Sequence, residues 1–202
     1  MVKKDETRMK ILAAAQDVFN RYGYGKSTVD DIAKEMGKGK SSIYYYFTSK
    51  EDIFKAVIEK ELQLMKSRIL TAVSQKTDSR EKLKVYVVER MQGLKSLKNL
   101  YNVLRTEHPS QRDFVDQTRQ QTDQEEINVV AGILNQGVET GIFYLEDTYL
   151  TSIAIVTALK GMEIPLLVSD SGSDHLLEQR LDRLLEVLFF GIIKRESDHL
   201  KS

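Results

Sequence analysis

Between Thr28 and Lys50 two short stretches of helical periodicity are joined by Gly37-Lys38-Gly39, and this pattern constrains the chain more than any other feature. Thr28 suits a helix N-cap: its hydroxyl can accept from the backbone N–H of Asp31 while the Asp31 carboxylate reaches back, completing a capping box. Val29, Ile32, Ala33 and Met36 then recur at helical spacing, and the glycines supply the permissive backbone that ends a helix and turns it sharply. After the turn Ile43 and Phe47 stand four apart and face inward, leaving Lys40, Ser41, Ser42, Tyr44 and Tyr45 on the outer side. Ser49 caps a third helix with Asp52 at its third position, and Lys50 stands in that helix's first turn. A lysine, two hydroxyls and two phenols beside a helix N-terminus suit phosphate contacts and base-edge hydrogen bonds in a major groove. Tyr46 and Phe47 read as core. The ordinary fate of a lysine, solvation, competes with this reading at Lys40 and Lys50.

The remainder reads as helix throughout. Only 2 prolines occur in 202 residues, and no stretch alternates like a strand. A first helix spans about 5–22, with Ile11, Leu12, Ala15, Val18, Phe19 and Tyr22 on one stripe. The helix from Ser49 continues through Ile53, Phe54, Val57, Ile58, Leu62, Met65 and Ile69 to about Gln75. A long helix carries Leu83, Tyr86, Val87, Met91, Leu94, Leu97, Tyr101 and Leu104, stopped by His108-Pro109. Ser110 and then Thr122 are expected to start two separate helices, the second ending at Gly141. A helix over about 148–163 is apolar on nearly every side. The last, about 175–195, presents Leu177, Leu181, Leu184, Leu185, Leu188 and Ile192 on a broad apolar face. The final two helices close a monomer's core or join a second copy in a four-helix bundle.

Formal net charge is zero, but residues 1–60 hold 12 Lys/Arg against 9 Asp/Glu and the rest 18 against 21, so the positive end is the motif end. Cysteine is absent, which excludes disulfides and thiol chemistry. The N-terminus has no apolar signal core and no apolar run approaches a membrane span, so a cytoplasmic protein is expected. Enzymatic readings fare poorly. His108, His175 and His199 lack metal-ligand spacing, Asp30-Asp31 and Glu125-Glu126 are each accounted for by a helix N-terminus, and Gly37-Lys38-Gly39-Lys40-Ser41 lacks the spacing and preceding strand of a phosphate loop. No cofactor or metal is expected.

Ile11-Leu12-Ala13-Ala14-Ala15, Phe19, Gly23, Thr28, Asp31-Ile32-Ala33, Gly37, Tyr44-Tyr45-Tyr46-Phe47 and Ser49-Lys50-Glu51 together resemble the N-terminal DNA-binding domain of TetR-family transcriptional regulators. The match covers roughly the first 60 residues; beyond them only length and helical character agree. Lys38 and Gly39 depart from the family's usual apolar turn residue and serine cap, so the preferred DNA sequence does not transfer from a relative.

The resemblance implies an all-α protein: a three-helix helix-turn-helix DNA-binding domain at 1–48, a connecting helix at 49–75, and a larger helical ligand-binding and dimerisation domain at 76–202. The candidate DNA-contacting residues are Thr28, Lys40, Ser41, Ser42, Tyr44, Tyr45 and Lys50. By analogy a small-molecule effector is expected among Tyr86, Arg90, Met91, Tyr101, Arg105, Phe143 and Met162, residues that a packed core accounts for equally well. The dimer interface is expected at Leu177, Leu181, Leu184, Leu185, Leu188 and Ile192. The function implied is a homodimeric repressor on a near-palindromic operator, released by an unidentified ligand. Competing readings are a ligand-activated regulator and a helical binding or enzymatic protein whose N-terminal unit is inert.

Overall fold

A computed structural model describes residues 2–94, 97, 109–168, 179, 181–183 and 185–187. Every regular element among them is an α-helix: α1 (Val2–Tyr22), α2 (Val29–Glu35), α3 (Lys40–Tyr44), α4 (Lys50–Ser74), α5 (Ser79–Gly93), α6 (Pro109–Glu139) and α7 (Thr148–Val168). None of these is long and apolar enough to cross a membrane. The chain divides into two compact units, one of residues 1–65 and 96–118, the other of 66–95 and 119–202.

In the first unit the α1 stripe is buried at Ile11, Leu12, Ala15, Val18 and Phe19, whereas Tyr22 at its end is half exposed. Ile32 and Ala33 of α2, Ile43 of α3, and Ile53, Phe54, Val57 and Ile58 of α4 complete this core. Phe19 meets Phe54 edge to face at 5.4 Å, and Tyr24 from the α1–α2 loop joins them, 4.7 Å from Phe54. Such ring pairs add specific geometry to the area they bury.

In the second unit α5 contributes Leu83, Tyr86, Val87 and Met91, α6 contributes Val130, Ile133 and Leu134, and α7 contributes Ile155, Val156 and Leu159, all buried. Asp78 caps α5 through the amides of Arg80 and Glu81. Gly141, at φ +71°, ends α6 with Ile142 N–H donating back to the Gly137 carbonyl at 2.8 Å. That reversal returns Phe143 onto α6 at Gly137, where an added Cβ would overlap the ring.

Three expected boundaries change. Helix α5 ends at Gly93, short of the end expected near Leu104: glycine weakens the helix there, and Leu94 and Leu97 are buried nonetheless, Leu97 from a non-helical position. The two helices expected from Ser110 and Thr122 are one 31-residue helix starting at Pro109, where a proline lacks an N–H that would have no partner. The Thr122–Glu125 cap signature is thus overridden, because continuing the backbone hydrogen-bond ladder satisfies the same amides. Helix α7 continues past Glu163 to Val168.

Candidate nucleic-acid interface

The capping box at α2 forms as its residue types dictate. The Thr28 hydroxyl accepts from Asp31 N–H at 3.2 Å and donates to the Asp31 carboxylate at 2.6 Å, while Thr28 N–H donates to that carboxylate at 2.9 Å. These bonds, foremost the one from the Thr28 hydroxyl, hold the Asp31 carboxyl below the usual carboxylate range. Helix α2 ends in a Schellman turn: Lys38 N–H donates to Ala33 O at 2.9 Å, Gly37 N–H to Lys34 O at 3.0 Å, and Gly37 has φ +62°. Both ends of α2 are therefore fixed by residues within or beside it.

Gly39 stands at the N-cap of α3 with no side chain to occupy the first amides. Ile43 is completely buried and Phe47 nearly so, which anchors one side of this five-residue helix. On the opposite side Lys40, Ser41 and Ser42 are exposed, as are Tyr44 at 49% and Tyr45 at 69%. Ile43 and Phe47 thus bury apolar surface while the rings of Tyr44 and Tyr45 stay accessible from outside. Tyr46 is intermediate, its ring 5.0 Å from that of Tyr45 in an edge contact.

Asp30 on α2 pairs with Lys40 at 2.7 Å, which raises the lysine's pKa and orients its ammonium at the start of α3. At α4, Ser49 Oγ accepts from Asp52 N–H at 3.0 Å and Thr48 donates to the Asp52 carboxylate. The Thr48 hydroxyl is the main cause of that carboxyl's lowered pKa.

Lys50 is engaged within the first unit. Its ammonium donates to the main-chain carbonyls of Tyr24 at 2.8 Å and Ser27 at 2.9 Å and lies 4.2 Å from the centroid of the Tyr24 ring. Partial burial lowers its pKa. The expected site residues Thr28, Lys40, Ser41, Ser42, Tyr44 and Tyr45 are thus gathered at the α2–α3 end of the first unit, whereas Lys50 turns to the α1–α2 loop. Sequence reasoning missed the partners Asp30, Tyr24 and Ser27; two of these act through backbone carbonyls, which residue identity does not advertise.

Of the residues expected around an effector, Tyr86, Arg90, Met91 and Phe143 are buried in the second unit and Met162 is partly exposed. Tyr101 and Arg105 lie outside the described residues. Arg90 donates through Nε to Glu126 at 2.9 Å, the two side chains being 3% and 11% exposed. One turn of α6 is a hub of such pairs: Asp123 meets Lys160 of α7, Glu125 meets Lys66 of α4 at 2.7 Å, and Glu126 meets Arg90 of α5. Glu125 and Glu126, assigned from sequence to a helix N-terminus, lie instead in the middle of α6.

Of the expected dimer residues, Leu181 and Leu185 are 4% exposed within the single chain, while Leu177, Leu184, Leu188 and Ile192 lie outside the described residues. An apolar face does remain open on α7, where Leu150, Ala154, Ala158 and Gly161 are exposed.

The family described as bacterial regulatory proteins, tetR family, matches residues 11–57, which span the helices and turns of this site. The chain is similar to the fatty acid metabolism regulator protein of Bacillus subtilis (strain 168), 28% identical over 141 residues, which are 70% of this chain and 73% of that protein. Its fold is similar to that of a transcriptional regulator from Cytophaga hutchinsonii ATCC 33406, at 28% identity and a TM-score of 0.74, covering 91% of this chain and 97% of that one. It is also similar to the transcriptional regulator FadR from Bacillus subtilis in complex with stearoyl-CoA, at 27% identity and a TM-score of 0.72, covering 91% and 98%. With capped α2, exposed α3 and these relatives together, residues 11–57 belong to the family described as bacterial regulatory proteins, tetR family, and the chain is a DNA-binding transcriptional regulator.

Proposed function

We propose that the protein acts as a homodimeric repressor on a near-palindromic operator and leaves it when a long-chain acyl-CoA binds the second unit. The observation that supports this most is the outer side of α3 and its C-cap, where Ser41, Ser42, Tyr44 and Tyr45 are exposed while Ile43 and, just beyond the helix, Phe47 are buried. Hydroxyls and phenols read base edges and phosphates by hydrogen bonding, and Lys40 adds a positive charge at the same place. Two such helices in a symmetric dimer address successive major grooves about 34–36 Å apart. The exposed α7 residues Leu150, Ala154, Ala158 and Gly161 supply the second copy's contact, since small side chains let helices approach closely. The cytoplasm, where the DNA is, is the place of action. The effector class rests on the stearoyl-CoA held by the similar Bacillus subtilis regulator.

Fluorescence anisotropy of the protein with the duplex it enriches from a randomised pool tests this reading. Saturable binding that prefers this duplex over a scrambled one, and that weakens when stearoyl-CoA is added, is the expected result. Tighter binding with stearoyl-CoA would make the ligand a corepressor instead. An unchanged affinity would remove acyl-CoA from the proposal while leaving DNA binding in place.

A further inference from the structure

The segment from Ser27 to Lys50 is closed on itself. Ser27 directly precedes the N-cap of α2; the Schellman turn joins α2 to α3; Thr48 and Ser49 bond Asp52 at the start of α4; and Lys50 returns to the carbonyls of Tyr24 and Ser27, 26 and 23 residues back in the chain. The loop carbonyls are themselves held in place. Ser27 is 2% exposed and its hydroxyl donates to Gly23 O at 2.6 Å, while the Tyr24 ring is packed between Phe19 and Phe54. An ammonium carries three donors, and two are engaged here in charge-assisted bonds that are stronger than neutral ones. Partial burial of the group makes these bonds somewhat harder for water to replace.

We propose that Lys50 is a positioning residue that sets the pose of α3 by fastening the start of α4 to the loop ahead of α2, and that it is not a phosphate contact. This rests on the reading of α3 as the DNA-reading helix. The consequence is specific. A lysine on a phosphate displaces a counterion, so its loss lowers the salt dependence of binding; a lysine that positions α3 leaves the count of neutralised phosphates unchanged.

The test compares wild type with Lys50→Met, which keeps the apolar stem, on two duplexes: the one wild type enriches from a randomised pool and its scrambled counterpart. Affinities are measured over a series of salt concentrations, with circular dichroism showing that the variant is folded. The expected result is a loss of about tenfold or more on the enriched duplex, little change on the scrambled one, and a wild-type salt slope. A slope reduced by about 2, for two lysines per dimer, with equal losses on both duplexes, would overturn the proposal in favour of a phosphate contact. Unchanged affinity on both would overturn it outright.

Should Lys50→Met fail to fold, Lys50→Arg decides the matter. The arginine keeps the charge but presents a planar fork in place of a compact ammonium. Loss of duplex preference is expected, and full retention would favour the phosphate contact. If wild type enriches no duplex, the DNA reading itself fails, and that result is seen without any variant.

Discussion

The two units secure their helices by different means. In the first, polar groups act at helix ends or at the surface: the Thr28–Asp31 box, the Thr48 and Ser49 bonds to Asp52, and the exposed Arg21–Glu35 and Lys40–Asp30 pairs. Its buried carboxylate, Glu61, accepts from Gln16 Nε2 at 2.9 Å. In the second, the Asp123–Glu126 turn of α6 holds cations from three other helices, with partners 36 to 59 residues distant in the chain. Caps impose one conformation on the helix that bears them. The contrast teaches that the first unit fixes its short helices by local caps, whereas the second gathers the charges of three other helices on one turn.

The largest effect should come from breaking the buried pair. Glu126→Ala removes the carboxylate that accepts from the buried Arg90 and is expected to cost about 3–5 kcal/mol in urea unfolding. The double replacement Arg90→Met with Glu126→Leu should recover most of that loss, since neither charge is then buried. A small effect of Glu126→Ala would erase the distinction between the units.

Two glycines sharpen it. Gly137→Ala drives a methyl group into the Phe143 ring and should cost about 1–3 kcal/mol by overpacking. Gly37→Ala meets no neighbour but must adopt a left-handed backbone, for about 1–2 kcal/mol. Thermal melts of both, together with Gly137→Ala carrying Phe143→Leu, separate the causes: the second change should relieve only the overpacked site.

The smallest effect is that of pH on the α2 cap. The Asp31 carboxyl has a lower pKa folded than unfolded, so the stability it supplies is complete above the usual aspartate range and is lost as pH falls through the folded value. The difference in melting temperature between wild type and Asp31→Asn should therefore be constant near neutrality and shrink below about pH 4. A difference that persisted in acid would show that the carboxylate's charge is not what the box uses.

Much of the first unit was legible in advance because its signals are local. Thr28 with Asp31, Gly37 after Met36, and Ser49 with Asp52 each act within a few residues, so the order of residue types carries the geometry. The inward Ile43 and Phe47 and the outward Ser41, Ser42, Tyr44 and Tyr45 follow from the same periodicity. The partners of Lys50 were not legible because a long flexible side chain has many places to reach, and the carbonyls that meet it become available only once α1, the loop and α4 have packed together. In the second unit the Thr122–Glu125 signature was sound as a pattern and wrong as a boundary, since an unbroken ladder through α6 satisfies the same groups.

The sequence by itself determined that this protein is helical, where its first helices begin and turn, and which side of α3 faces outward, because caps, glycines and 3.6-residue periodicity are properties of neighbouring residues. Only the tertiary structure decided that Lys50 fastens the α1–α2 loop, that Arg90 meets Glu126, and that one turn of α6 gathers charges from three helices. Those contacts join residues 23 to 59 positions apart, and nothing in the residues themselves names a partner at that distance until the chain has folded.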